Sequence, residues 1–207
     1  QVNFADAVCP QSALAEGYQA PKKISTPEYA FQLNYGYHLD AGKFAELLRA
    51  HCVDKLGVIH IKANVEGINS AANGDIASIV TDRAGTVEGD LFVDCSGSRS
   101  LLLGEHYQVP MCSKRQYLFN NTALAAQVAY GAPEDPIQSF TLSTAQSAGW
   151  IWDIGLPSRR GIGHVYSDAH NTEDRAREEL MAYIEASAGK QAADQAMVRK
   201  IQFEPGH

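Results

Sequence analysis

No run of apolar residues in this 207-residue sequence approaches the ~20 needed to cross a bilayer, so nothing in it reads as a membrane span. The start, Gln1-Val2-Asn3-Phe4-Ala5-Asp6, is acidic and only mildly apolar, and no signal peptide is visible in it. Basic residues are outnumbered, 17 against 24 acidic, for a net charge of −7. Lys22-Lys23 and Arg159-Arg160 are pairs rather than patches, so the balance argues against nucleic acid as a partner. Cys9, Cys52, Cys95 and Cys112 are scattered, with no Cys-x-x-Cys pair. That excludes a zinc ribbon or a disulfide scaffold and suits free thiols in a reducing cytoplasm. The histidines are equally dispersed; beside His164 and His170 no carboxylate or thiol falls at a ligand spacing, and no metal site is expected. No Gly-x-Gly-x-x-Gly follows a strand, since Gly161-Ile162-Gly163 lacks the third glycine. No Gly-x-Ser-x-Gly elbow presents a serine, and Cys95 has no neighbouring histidine to activate it.

What is present centres on Gly89-Asp90-Leu91-Phe92-Val93-Asp94-Cys95-Ser96-Gly97-Ser98-Arg99-Ser100. An apolar run of this kind suits a strand buried on both faces of a parallel sheet. The small polar residues after it, with a glycine that lets backbone approach a partner closely, suit a ligand edge at the strand's carboxyl end. An ordinary tight turn is the simpler alternative.

Residues 1–36, punctuated by Pro10, Gly17, Pro21 and Pro27, read as an extended or looped segment. Residues 37–103 read as helix, strand, meander and buried strand. Asp40 caps a helix whose Phe44, Leu47, Leu48 and Cys52 share a face, and Gly57 ends it. Val58 to Lys62 reads as a parallel-type strand, Asn73-Gly74 as a hairpin turn, and Leu91 to Cys95 as the returning strand. The helix is expected to pack on a sheet containing those two strands. Residues 104–207 read as a β-sheet module: Tyr117 to Phe119 with Thr122 to Tyr130, Ser139 to Ser143, Gly149 to Ile154, Gly161 to Tyr166 and Val198 to Phe203, plus one helix begun by Asn171-Thr172-Glu173-Asp174. Trp150 and Trp152 share one face of a strand, where they either fill a core or wall a ligand pocket.

Together, Tyr37-His38-Leu39-Asp40-Ala41, Leu56-Gly57-Val58, Asp90 to Gly97, Gly149-Trp150-Ile151-Trp152-Asp153-Ile154 and Gly163-His164-Val165-Tyr166-Ser167 resemble the flavin-dependent tryptophan halogenases, in order and spacing, over nearly the whole chain. The resemblance implies an α/β fold: part of an FAD-binding, doubly wound domain of flavin-monooxygenase type, with a mixed β-sheet substrate module. It implies FAD, reduced by a separate flavin reductase, oxygen and a halide, chloride or bromide, acting on an electron-rich, indole-like substrate in antibiotic biosynthesis. A homodimer is one assembly it allows.

It also places Val65, Asp94, Cys95, Ser96 and Gly97 at the cofactor, and Trp150 and Trp152 between flavin and substrate, on a face expected to be mostly buried. The family's glycine-rich fingerprint and lysine would precede Gln1, and its glutamate would follow His207. No catalytic role therefore falls on a residue here, and the stretch by itself is expected to be inactive. Two departures stand out: Ser98 replaces a larger residue, and Gly155-Leu156-Pro157 replaces a proline directly after the isoleucine. An FAD-dependent aromatic monooxygenase of the same fold, or a non-catalytic remnant, are the rival readings.

Overall fold

The structure, a computed structural model, describes residues 3–206, the side chain of Ala5 excepted. Gln1, Val2 and His207, the outer ends of the 1–36 and 104–207 segments, lie outside the described residues. The chain forms two units, one from residues up to Asp40 with Ser113–Gly206, the other from Ala41–Cys112.

The Ala41–Cys112 unit contains a long helix, α3 (Ala41–Leu56), and an antiparallel meander of β1 (Val65–Ser70), β2 (Ile76–Thr81) and β3 (Gly85–Glu88). The Asn73-Gly74 hairpin forms as expected. Gly74 takes φ +92°, and its N–H donates to the Ala71 carbonyl at 3.0 Å. Thr81 closes the second turn, its hydroxyl accepting from the Ala84 amide at 3.0 Å.

Two expectations fail here. Val58 to Lys62 and Leu91 to Cys95 carry no strand, and Leu91 is 83% exposed. The helix does not bury its stripe either: Phe44, Leu47 and Leu48 are all exposed. The physical reason is common to both. A parallel strand exists only through a hydrogen-bonded neighbour, and among the described residues none pairs with either segment. Without that sheet the helix has nothing to cover.

The other unit begins with two short helices, α1 (Phe4–Val8) and α2 (Gln11–Glu16), inside the segment read as loop. Its body is a five-stranded antiparallel sheet of β4 (Thr122–Val128), β5 (Thr141–Gln146), β6 (Gly149–Leu156), β7 (Arg159–Tyr166) and β8 (Met197–Gln202), in the order β5-β6-β7-β4-β8. Tyr117 to Phe119 is not a strand; the Tyr117 and Leu118 amides both bond the Lys114 carbonyl in a turn.

Helix α4 (Glu173–Ala188) packs on one face of this sheet, followed by the short α5 (Lys190–Gln195), so the segment holds two helices rather than one. Thr172 caps α4, its hydroxyl accepting from the Arg175 amide at 3.3 Å, and Glu173 and Asp174 complement the positive end of the helix. Ala176, Leu180 and Ile184, one turn apart, close over Leu124, Val128, Ile151 and Ile162 to make the core.

Candidate functional site

In the Ala41–Cys112 unit, Asp94 is committed to backbone. Its carboxylate accepts from the Ser96 amide at 3.0 Å and the Leu102 amide at 2.8 Å. The Ser96 hydroxyl, then those amides, hold its pKa down to about 2. Ser96 in turn accepts from the Leu101 amide at 2.9 Å. Ser96 and Asp94 thus satisfy the first two amides of the π-helical turn Leu101–His106, whose N-cap Ser100 accepts from the Gly104 amide at 3.0 Å. Cys95 is exposed. Gly97 takes φ +68°, with open space where a Cβ would lie, so its backbone can meet a planar ring at van der Waals distance.

Val65, half-buried at the start of β1, lines a cavity of about 170 Å³ with Arg99, Leu101 and His106. The structure thus brings Val65 to the turn that follows Gly97; Asp94, Cys95, Ser96 and Gly97 do not line that cavity. Its volume is below the ~300 Å³ of a drug-sized site, so it would take one end of a dinucleotide and no more.

In the sheet unit, Trp150 and Trp152 stand on the face opposite α4, because Ile151 and Asp153 alternate with them and point to the helix side. Their rings meet edge to face, with centroids 6.3 Å apart. Trp152 lies across Gly163, its partner in register, so closely that a Cβ there would sit 2.1 Å from the indole. Trp150 is 37% exposed and Trp152 half-buried, so each keeps more than half of its surface from solvent, as expected, and neither is fully enclosed. Helices α4 and α5 cover the other side of the sheet, and neither tryptophan belongs to the core.

The tryptophan halogenase family profile matches residues 1–207. This chain belongs to the tryptophan halogenase family. It is similar to the tryptophan halogenase of Shewanella frigidimarina NCIMB 400, whose crystal structure superposes with a TM-score of 0.92 at 49% identity, covering 100% of this chain and 39% of that one. Among curated relatives it is 34% identical to tryptophan 7-halogenase RebH of Lentzea aerocolonigenes, over 82% of this chain and 32% of that protein. It is 37% identical to tryptophan 6-halogenase SttH of Streptomyces toxytricini, over 89% and 35%. This halogenase-family chain therefore spans about a third of the length of the curated relatives it matches. Its fold is that of the flavin-dependent halogenases, an α/β architecture with antiparallel sheets.

Sequence reading missed a polar cluster in this halogenase-family chain. Asp153, 0% exposed, receives Arg160 Nε at 3.1 Å, a second bond from Arg160 Nη2, and the Tyr183 hydroxyl at 3.0 Å. Arg160 also donates to the Ser187 carbonyl at 3.1 Å and hydroxyl at 3.0 Å. Burial works against the Arg160 charge, but Asp153 outweighs it and the pKa rises. Burial, then Asp153, pushes Tyr183 up. A signal was there to find: Asp153 occupies an inward position of a strand whose neighbour Ile151 is core, and an inward charge needs a partner.

Proposed function

We propose that this chain is part of a flavin-dependent halogenase acting on an electron-rich, indole-like ring. The observation that supports it best is the Trp150–Trp152 pair, seated on Gly163 and partly exposed on the face away from α4. When bound, reduced FAD would supply the oxygen chemistry that turns chloride or bromide into an electrophile, its electrons coming from a separate reductase. Val65 and the backbone at Gly97 fit one end of that cofactor, because Gly97 leaves open space and Val65 borders a small cavity. Asp94 and Ser96 would act there by holding the turn in shape rather than by touching the ligand. Trp150 and Trp152 would exclude water and orient a flat substrate through their faces.

No residue of this chain takes a catalytic role in this reading; the lysine and glutamate of the resemblance fall outside it. The exposed apolar residues of α3, Val58 to Ile61 and Leu91 to Val93 are the surface on which the rest of a longer chain would pack. The soluble partners are a reductase and a small aromatic substrate, with no nucleic acid or membrane; the compartment is the cytoplasm, and a homodimer is the assembly proposed. Among the described residues no helix is long and apolar enough to cross a membrane.

The experiment is to incubate the full-length protein with FAD, a flavin reductase, NADH, oxygen, chloride or bromide, and tryptophan or indole, and to analyse products by mass spectrometry. A halogenated product supports the reading. A hydroxylated product in its place would make the protein a monooxygenase of the same fold, and failure to retain FAD would make it a non-catalytic relative.

A further inference from the structure

A cavity of about 790 Å³ lies in the unit that holds the five-stranded sheet, between the N-terminal segment and the end of β6. That volume is in the range of small-molecule sites, ~300–1,000 Å³. Leu14, Pro21, Ile137, Phe140 and Pro157 give it an apolar lining. Ile137 and Tyr37 on its wall remain exposed, so apolar surface at a concave site still meets water. The two sides of the cavity are tied together. The Ser139 hydroxyl donates to the Gln19 carbonyl at 3.2 Å, Thr141 Oγ1 meets His38 Nε2 at 3.1 Å, and the Tyr18 and Phe140 rings lie 6.3 Å apart.

One corner is polar. Lys22 is half-buried there, its ammonium donating to the Pro27 carbonyl at 3.4 Å and lying 5.7 Å from the centre of the Tyr35 ring. An ammonium carries three donors, and this carbonyl occupies one of them. No aspartate or glutamate lines the cavity, and among the described residues Lys22 forms no ion pair. The Tyr35 and Tyr37 hydroxyls meet at 3.4 Å beside it. That contact lowers the Tyr35 pKa most, burial opposes it, and Lys22 lowers it further, so the field of the ammonium reaches this corner.

We infer that this cavity binds a small aromatic carboxylate, its ring on the apolar wall and its carboxylate paired with the Lys22 ammonium. A carboxylate offers acceptor sites to more than one donor, so it can also take a bond from a tyrosine hydroxyl. One lysine, with no arginine in the lining, matches a single negative charge better than a phosphate. A zwitterionic amino acid is disfavoured, because its ammonium would find no acidic partner and would face Lys22. The inference goes beyond halogenation and requires neither FAD nor halide.

Three probes of one shape test it: 2-naphthoate, 2-naphthamide and 2-naphthylmethylammonium, titrated by calorimetry into the full-length protein with tryptophan in excess to occupy any amino-acid site. Naphthoate should bind saturably, the amide about tenfold more weakly for want of the charged hydrogen bond, and the cation not at all. Lys22→Met should bring naphthoate down to the level of the amide and leave the amide unchanged. Phe140→Ala should weaken both. Should Lys22→Met fail to fold by thermal melt, Lys22→Gln carries the same expectation. No saturable binding of naphthoate would mean that the protein or water fills the cavity, and the inference falls. It falls equally if the amide or the cation matches naphthoate, or if the folded Lys22 variant binds naphthoate as the unaltered protein does.

Discussion

Replacing Gly163 with alanine tests the tryptophan wall at its closest point. A Cβ built on Gly163 lies 2.1 and 2.2 Å from two atoms of the Trp152 ring and 2.7 Å from the Leu124 carbonyl oxygen. Ordinary contact begins near 3.4 Å, so the indole would have to move by about 1.3 Å. The carbonyl is backbone of the adjacent strand β4 and cannot swing aside as a side chain can. Overpacking of this kind costs about 1–3 kcal/mol.

Urea unfolding followed by fluorescence reads both consequences. The 207-residue sequence has two tryptophans, so emission from this chain reports the pair directly. Gly163→Ala should lower the unfolding midpoint without changing the slope and shift the emission of the folded state. Adding Trp152→Ala should restore part of the loss but not all, because the Leu124 carbonyl remains in the way. If Gly163→Ala leaves both midpoint and folded-state emission unchanged, the ring does not lie across Gly163 and the wall as described is wrong.

Arg160→Met should destabilise by about 3–5 kcal/mol, since it leaves Asp153 buried with only Tyr183. The double variant Arg160→Met with Asp153→Leu should recover most of that loss in the same urea assay, and a double variant no better than the single would argue against the pair. Asp94 has its pKa depressed in the folded state, to about 2. Its contribution is therefore complete above the unfolded carboxylate range near ~3.9 and is lost as pH falls through about 2. A carboxyl titration by NMR should find that midpoint, and a midpoint near 4 would show that the Ser96 and Leu102 bonds are not made. Gly97→Ala places a side chain at φ +68°, a conformation costing ~1–2 kcal/mol for L residues. In the full-length protein it should weaken FAD binding measured by flavin fluorescence, and unchanged affinity would remove Gly97 from the cofactor site.

Local chemistry settled a good deal in advance. Asn73-Gly74 closes a hairpin because glycine adopts positive φ without a steric cost, and Thr172 caps α4 because its hydroxyl reaches an amide three residues on. The alternation around Ile151 placed both tryptophans on one face, and the quoted motifs pointed to the halogenase family. These features depend on residues within a turn or two of each other, and a sequence displays such relations directly. Others needed the assembled chain. Leu91 to Cys95 has the composition of a buried strand, yet burial is a property of neighbours, and none lies beside it among the described residues. That Trp150 and Trp152 stay outside the core was decided by which face α4 chose. The closeness of Trp152 to Gly163 came from pairing across β6 and β7. The meeting of Tyr130 with Gly155, from β4's end and β6, likewise came from strand register, which packing selects and no short stretch of sequence carries.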